Sequence, residues 1–331
     1  MLPRDHEKFK RLQQKLWREF GDEIIEWLAC SSVVEIMLNP DGKLWVHDQR
    51  SGLIHHGHRM SAIQAMNLIG TIASLNERTI NEDCPILECE LPFLGHRFEA
   101  VIPPVVSAPT FSLRKRALEV YSLSDYVQQG ILTQEQSSCL RHAVSLRKTI
   151  LIVGGPGTGK TTFANALLNE MVSVSKQTQR ILILEDTQEL QSTAPNTVFL
   201  KTTSTVDFQK LLRASLRLRP DRICMGECRG AEMLTLLKCW NTGTPGGLAT
   251  LHANSAKAAL VRIQEMVAES GSQAQPQLIA EAINIIVSLA FHPTYGRVVN
   301  AILELRGHSN QDFNLQPLSQ GSPLCINGIP H

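Results

Sequence analysis

A glycine-rich segment that ends in lysine and threonine carries the clearest chemistry in the sequence. It reads Gly-Gly-Pro-Gly-Thr-Gly-Lys-Thr over residues 154–161, directly after the apolar run 149–153 and before the helically spaced segment 162–172. A strand, a loop and a helix in this order are the context in which GxxxxGK[ST] binds nucleotide phosphates. Backbone N–H groups of the loop and the helix N-terminus supply the positive potential. The segment predicts ATP binding by Gly154, Gly155, Pro156, Gly157, Thr158, Gly159, Lys160, Thr161 and Thr162.

Lysine and threonine at the end of this segment have the side chains that phosphoryl transfer uses. We expect the ammonium group of Lys160 to reach the β- and γ-phosphates and the hydroxyl group of Thr161 to ligate Mg²⁺. A magnesium phosphate site also favours carboxylate oxygens. The acidic residues that follow the buried apolar segments are therefore the next candidates.

Carboxylates follow two of these apolar segments. Most P-loop ATPases end their second key strand in Asp-Glu, but the matching segment here ends in Gly226-Glu227. The segment 181–184 is followed by Glu185 and Asp186. Because the carboxyl ends of parallel strands line the ligand crevice, we expect these acids to converge on the γ-phosphate. Glu227 is our candidate for the general base or water-orienting residue.

Glu185 and Asp186 are alternatives for the metal side of the site. Successive side chains of a strand point to opposite faces, so one of the two is expected to face the phosphate, and we prefer Glu185. The competing interpretation is that these acids only cap loops. His252 ends another buried segment, where it is placed to donate a hydrogen bond to the γ-phosphate or to Glu227. A structural role for this histidine is the alternative.

The elements that position these residues fall into two parts. A chain of 331 residues favours two domains. Residues 1–118 combine helical spacing with short strands and predict a smaller mixed α/β domain, followed by a linker at 119–132. Residues 133–331 alternate continuous apolar runs with helical segments, which indicates a mostly parallel sheet covered on both faces. The predicted strands are 149–153, 181–184, 222–225, 248–251, 285–289 and 298–303, and the polar tail after residue 307 is expected to be loose.

Charge and composition weaken other classes of function. The formal net charge is only +1, and aromatic residues make up 5% of the chain, so neither a basic surface nor a stacking platform for nucleic acid is evident. We therefore expect no stable nucleic-acid binding.

The cysteines argue against a disulfide-stabilised fold. Eight cysteines without a CxxC pair indicate reduced thiols rather than a disulfide framework.

Four segments together resemble the secretion ATPase superfamily, which powers type II secretion, type IV secretion and type IV pili. They are residues 154–161, 185–190, 219–229 and 246–254. In the superfamily these segments are the Walker A loop, the Asp box, a degenerate Walker B motif and the His box. Glycine at the position of Gly226 is common there. Within the superfamily, the chain most resembles the conjugative-transfer branch of type IV secretion.

The resemblance implies an architecture and partners that the residues alone do not give. It implies a RecA-like P-loop NTPase domain behind the smaller N-terminal domain, with ATP and Mg²⁺ held between them. It also implies a homo-hexameric ring on the cytoplasmic face of the inner membrane, bound to inner-membrane secretion-channel proteins. Arg97 and Arg114 match the arginines that the family's N-terminal domain presents to the phosphates, although a surface charge on a hairpin is the alternative. Thr244 stands where the family often has histidine, and Cys228 where it has an aliphatic residue.

These features predict a hexameric ATPase that powers conjugative transfer or type IV secretion. A motor of type II secretion or of type IV pili is the nearest alternative, but the tetracysteine zinc insert of many type II assembly ATPases is missing. A RecA-like nucleic-acid motor and a nucleotide-dependent scaffold without turnover are more distant alternatives. The transport role depends on the resemblance, whereas ATP hydrolysis is also predicted by the residues themselves.

Overall fold

The computed structural model describes residues 3–49, 51–116, 120–174, 179–203, 205–273, 275–309 and 312–318, with side chains from residue 10 onward. The chain divides into two compact units, Met1–Leu118 and Glu119–His331. Both combine helices with a sheet, so the predicted α/β class is confirmed. None of the helices in the described residues has both the length and the apolar composition that a membrane crossing requires.

The smaller unit is a six-stranded sheet with two helices. Its elements are α1 (Pro3–Ala29), β1 (Val33–Leu38), β2 (Leu44–Asp48), β3 (Gly52–Ile54), α2 (Ala62–Leu75), β4 (Ile86–Glu90), β5 (Arg97–Val101) and β6 (Thr110–Arg114). The strand order is β3-β2-β1-β6-β5-β4, and each neighbouring pair is antiparallel. Helix α1 is interrupted at Gly21, whose φ of 73° favours glycine. The apolar face of each helix packs on the sheet in one shared core.

The core of this unit also holds a histidine. Burial, followed by the positive charges of Lys115 and Arg116, lowers the pKa of His96 from 6.5 to about 4. Its Nδ1 atom accepts a hydrogen bond from the backbone N–H of Arg116 at 3.2 Å, which requires the ring to be neutral. Protonation therefore removes an acceptor and adds a buried charge.

Acidification is expected to weaken the smaller unit through His96. The unfolded histidine binds its proton near pH 6.5 and the folded one near pH 4. The contribution of His96 to the free energy of unfolding is therefore fully present above pH 6.5 and is lost as the pH falls from 6.5 to 4. The loss at the lower end amounts to about 3 kcal/mol of unfolding free energy. Urea unfolding followed by tryptophan fluorescence measures it, because Trp17, Trp27 and Trp45 belong to this unit.

A matched pair of variants isolates this effect. His96→Asn keeps an acceptor for the Arg116 N–H group but cannot titrate, so its stability should fall less between pH 6.5 and pH 4 than that of the wild type. His47→Asn makes the same change on an exposed strand position and should leave the wild-type slope unchanged. Equal slopes for the wild type and His96→Asn would contradict the assignment to His96.

The larger unit is an eight-stranded sheet with helices on both faces. Its elements are α3 (Leu123–Gln128), α4 (Gln134–Ser145), β7 (Ile150–Gly154), α5 (Lys160–Val174), β8 (Ile181–Glu185), β9 (Thr197–Lys201), α6 (Phe208–Ser215), β10 (Arg222–Met225), α7 (Glu232–Asn241), β11 (Leu248–His252), α8 (Ala256–Glu269), α9 (Pro276–Ala282), β12 (Ile285–His292), β13 (Gly296–Ser309) and β14 (Asp312–Pro317). Helices α3 and α4 begin after the N-cap residues Ser122 and Thr133, each in a capping box.

The strands of the larger sheet follow the order β14-β13-β12-β7-β11-β10-β8-β9. The neighbouring strands in the part β12-β7-β11-β10-β8-β9 of this order are all parallel to each other. Alternate residues of β7 enter separate cores: Ile150 and Ile152 pack with α5, and Leu151 and Val153 pack with α7 and α8. This double burial explains the continuous apolar runs of the sequence. It also places the carboxyl ends of β7, β8, β10 and β11 at one edge of the sheet.

The segment 298–303 forms a strand as predicted, within β13, but this strand is antiparallel to β12 and does not belong to the parallel alternation. One prediction for the C-terminal part is wrong. The chain after residue 307 is not loose as far as it is described, because β13 continues to Ser309 and β14 pairs with it. Ladder hydrogen bonds and the packing of Phe313 and Leu315 on the core stabilise this polar stretch. Residues 319–331 lie outside the described part of the chain.

Candidate nucleotide site

The glycine-rich segment forms a tight turn between β7 and α5. Gly157 and Gly159 have φ angles of 71° and 89°, a region that favours glycine. A Cβ atom on Gly154 would lie 2.6 Å from Thr158 Oγ1 and 2.7 Å from the backbone oxygen of Leu289. The glycines therefore give the loop its shape, and helix α5 begins where the loop ends, at Lys160.

Lys160 is buried at the centre of the loop. Its Nζ atom donates to the backbone oxygens of Gly154 at 3.0 Å and Gly155 at 2.9 Å. The same atom lies 3.3 Å from Nδ1 of His252, which ends β11. Thr161 and Thr162 follow in the first turn of α5 and are half-buried. The lysine thus connects the loop with the neighbouring strand.

Glu227 follows β10 and is held from two sides. Its Oε1 atom is 2.9 Å from Nε2 of His252, and its Oε2 atom accepts from Nη2 of Arg229 at 2.8 Å. Nη1 of Arg229 also donates to Oδ2 of Asp186 at 2.7 Å. Burial alone lowers the pKa of Arg229, but these bonds to carboxylates outweigh it and raise the pKa, so the guanidinium stays charged. His252 and Arg229 together connect Lys160, Glu227 and Asp186 in one network.

Glu185 occupies the space beside Gly226. It is only 4% exposed, and its Oε1 atom accepts from the backbone N–H groups of Glu189 at 3.0 Å and Leu190 at 2.8 Å. A Cβ atom on Gly226 would lie 2.9 Å from Cγ and 3.0 Å from Oε1 of Glu185. The carboxyl group of Glu185 therefore fills the position that a side chain at residue 226 would take. This packing gives a physical reason for glycine where many P-loop ATPases have aspartate.

The predicted residues are brought together in part. Within the larger unit, the loop and its lysine lie at the same sheet edge as Glu185, Asp186, Glu227 and His252. Arg97 and Arg114 belong to the smaller unit, where they lie directly opposite each other on β5 and β6.

The two departures from the family pattern have structural explanations. Thr244 donates its hydroxyl proton to the backbone oxygen of Cys239 at 2.7 Å. Cys228 is buried, and burial raises the pKa of its thiol, so this small side chain takes the place of an aliphatic one in the core.

The sequence assigned no role to Arg297, yet it contacts the phosphate loop. Its Nε atom donates to the backbone oxygen of Gly157 at 3.2 Å, and its Cδ atom lies 3.5 Å from where a Cβ atom of Gly159 would be. Arg297 is on β13, so its position depends on the hairpin with β12, which the sequence did not predict. The exposed guanidinium adds positive charge beside the loop.

The donor set fits the magnesium ion that ATP hydrolysis implies. A hydroxyl group at Thr161 and carboxylates at Glu185 and Asp186 are oxygen donors of the kind that Mg²⁺ prefers. In the described part of the chain, no three His, Cys, Asp or Glu side chains form a cluster suited to a metal ion. A nucleotide-borne Mg²⁺ needs only one or two protein ligands, since phosphates and water supply the others.

Comparisons with known proteins agree with this geometry. Residues 53–294 match a family described as type II/IV secretion system protein. The chain is 44% identical to a probable conjugal transfer protein TrbB of Sinorhizobium fredii, over 92% of this chain and 93% of the relative. It is 32% identical to the type IV secretion system protein PtlH of Bordetella pertussis, over 72% of this chain and 78% of the relative. The expected resemblance to the conjugative-transfer branch is confirmed.

A solved structure shares the fold. The pilus retraction motor PilT with bound ADP matches with a TM-score of 0.61 and 20% identity, over 87% of this chain and 83% of that one.

Proposed function

The chain belongs to the type II/IV secretion system protein family, and from this premise we propose that it is an ATPase that powers conjugative transfer or type IV secretion. The observation that carries the proposal is the network in which His252 lies between Lys160 of the phosphate loop and Glu227. It combines a phosphate-binding cation with a carboxylate placed to orient water. Solved structures of similar fold include a motor with bound ADP.

The larger unit is, on this proposal, a RecA-like P-loop domain. Strand β11 lies between β7, which precedes the phosphate loop, and β10, which precedes Glu227. Neighbouring strands are about 4.8 Å apart, so Glu227 is offset from the loop by roughly two strand spacings. The imidazole of His252 bridges this offset through its two ring nitrogens.

Each residue has a defined task in the proposed reaction. On ATP binding, the ammonium group of Lys160 leaves a backbone oxygen of the loop and binds the β- and γ-phosphates. Glu227 orients the attacking water and accepts its proton. Thr161 and Glu185 would hold the magnesium ion, and Asp186 keeps Arg229 in place beside Glu227. When bound, Mg²⁺ neutralises charge on the phosphate oxygens. Glu185 is our choice over Asp186 because it fills the position of the missing aspartate.

Membership of the family supports a proposal for the assembly and its location. We propose a homo-hexameric ring at the cytoplasmic face of the inner membrane, where it binds secretion-channel proteins. Arg97 and Arg114 of the smaller unit would complete the site by stabilising charge on the phosphates. Their placement as direct neighbours on β5 and β6 allows both guanidinium groups to act on one ligand.

The rate of ATP hydrolysis per chain, measured against protein concentration with particle mass in parallel, tests this function. We expect the rate to rise as hexamers form, because in the proposed mechanism Arg97 and Arg114 act on the phosphates only in the assembled ring. Arg97→Ala should abolish the rise without preventing assembly. Full activity in monomers would contradict the ring-dependent mechanism. The absence of ATP hydrolysis in assembled hexamers, with and without candidate channel proteins, would overturn the proposed function.

A further inference from the structure

An asparagine is buried in helix α5, one turn after Thr161. Asn165 is only 1% exposed, and its neighbours in the helix, Ala164 and Ala166, belong to the apolar core. Thr161 and Asn165 are four positions apart, so they lie on the same face of the helix. A buried amide is costly unless its polar atoms are hydrogen-bonded. The partners of Asn165 therefore indicate what this side chain does in the core.

Both polar atoms of Asn165 contact the backbone of one segment that follows β8. The Nδ2 atom donates to the backbone oxygen of Glu189 at 3.3 Å, and the Oδ1 atom accepts from the backbone N–H of Gln191 at 2.8 Å. Because one side chain satisfies a carbonyl and an N–H group two residues apart, it fixes both the position and the orientation of the segment. Asn165 thus attaches residues 189–191 to α5.

The same segment holds the carboxylate of Glu185. Its backbone N–H groups at Glu189 and Leu190 donate to Oε1 of Glu185 at 3.0 and 2.8 Å. The segment therefore lies between two buried side chains, and it is hydrogen-bonded to both of them. A displacement of the segment relative to α5 would move these two donors, and the carboxylate would move with them.

We propose that Asn165 is a positioning residue that sets the spacing between the two magnesium donors, Thr161 and Glu185. The inference rests on the proposed function, in which these two side chains hold the ion. Thr161 is on α5 and Glu185 ends β8, so their spacing depends on the contact that joins the helix to the segment after the strand. Mg²⁺ demands nearly ideal octahedral geometry, so a small displacement of one donor weakens its binding.

Binding of a non-hydrolysable ATP analogue to the assembled full-length protein, by calorimetry in Mg²⁺ and in EDTA, tests this role. Asn165→Ala is expected to reduce the affinity gained from Mg²⁺ about tenfold or more, as is typical for groups that orient metal ligands. Its affinity in EDTA should equal that of the wild type, because the phosphate loop is unchanged. Amide hydrogen exchange of residues 189–191 in the nucleotide-free protein should become faster, since the segment loses its attachment to α5.

A second variant keeps the test valid if alanine prevents folding. Asn165→Ser leaves a hydroxyl group in the core, but this single short group cannot hold both backbone partners. The same loss of the Mg²⁺ effect is therefore expected.

Two comparisons make the test specific. Asn284→Ala removes a similar amide contact at the other end of β7, where Oδ1 of Asn284 accepts from the backbone N–H of Thr149 at 2.8 Å, and it should leave the Mg²⁺ effect unchanged. In a Glu185→Ala background, Asn165→Ala should cause no further loss, because it acts through that carboxylate.

Several outcomes would overturn the role of Asn165. They are a wild-type Mg²⁺ effect in the folded Asn165 variants, an equal loss of affinity in Mg²⁺ and in EDTA, and unchanged hydrogen exchange at residues 189–191. A wild-type Mg²⁺ effect in Glu185→Ala, or a further loss when Asn165→Ala is added to it, would also overturn the role. Wild-type protein that binds no analogue in either condition would instead contradict the proposed function.

Discussion

Glu227→Gln is expected to reduce ATP turnover about a hundredfold or more, because it removes the group that accepts a proton from the attacking water. Glutamine has nearly the same shape, and its side chain can still hydrogen-bond His252. The phosphate loop and Lys160 are unchanged, so ATP binding should persist. Single-turnover hydrolysis and equilibrium binding, measured on the same assembled protein, separate the two effects.

The matched control for this change is Glu265→Gln on the exposed face of α8. Glu265 lies 3.1 Å from Arg262 in an exposed ion pair, so its loss of charge should leave turnover unchanged. Turnover near the wild-type rate in Glu227→Gln would remove this residue from the reaction and leave the assignment of the phosphate loop unchanged. A parallel loss of ATP binding would show that Glu227 shapes the pocket instead.

Gly226→Ala is expected to reduce turnover up to about a hundredfold, the scale of a catalytic group displaced by 1 Å. The added methyl group would lie 2.9 Å from Cγ of the buried Glu185, closer than van der Waals contact allows. Glu185 must then shift, and its two hydrogen bonds with the backbone at residues 189 and 190 shift with it. Steady-state hydrolysis together with the Mg²⁺ concentration for half-maximal rate measures the change, and that concentration should rise.

Two further variants make the test specific. Gly70→Ala makes the same substitution on α2, where the Cβ atom has nothing within 4 Å, and should leave turnover unchanged. Combining Glu185→Ala with Gly226→Asp moves the carboxylate to the adjacent strand and should restore part of the activity that Glu185→Ala alone loses. Wild-type turnover and Mg²⁺ dependence in Gly226→Ala would contradict the role of Glu185 on the metal side.

Much of the candidate site was predictable because its parts are local. The phosphate loop is a continuous segment, and the convergence of Glu185, Glu227 and His252 follows from the geometry of parallel strands. The filling of the space at Gly226 by Glu185 was not predictable, because it is a contact between side chains of neighbouring strands. The pairing of Arg229 with Asp186 was not predictable either, because nothing in the sequence indicates that these two side chains meet.

The missed strands have a related physical explanation. Strand β9 is an edge strand whose residues are only partly buried, so it lacks the continuous apolar run of the central strands. Strand β14 is polar and forms through pairing with β13. Arg297 was missed for the same reason, because its place beside the loop depends on how β12 and β13 pair. Local spacing predicts buried strands well, whereas edges and hairpins depend on partners distant in the chain.

The ring of His252 has a consequence for observing the enzyme at work. Its two nitrogen atoms have separate partners, Lys160 at Nδ1 and Glu227 at Nε2. Arrival of a triphosphate changes the surroundings of the first atom, and activation of water changes those of the second. A single imidazole therefore carries two spectroscopic signals, one from the nitrogen beside Lys160 and one from the nitrogen beside Glu227. Nitrogen-15 labelling of this one side chain would allow both events to be timed within the same turnover.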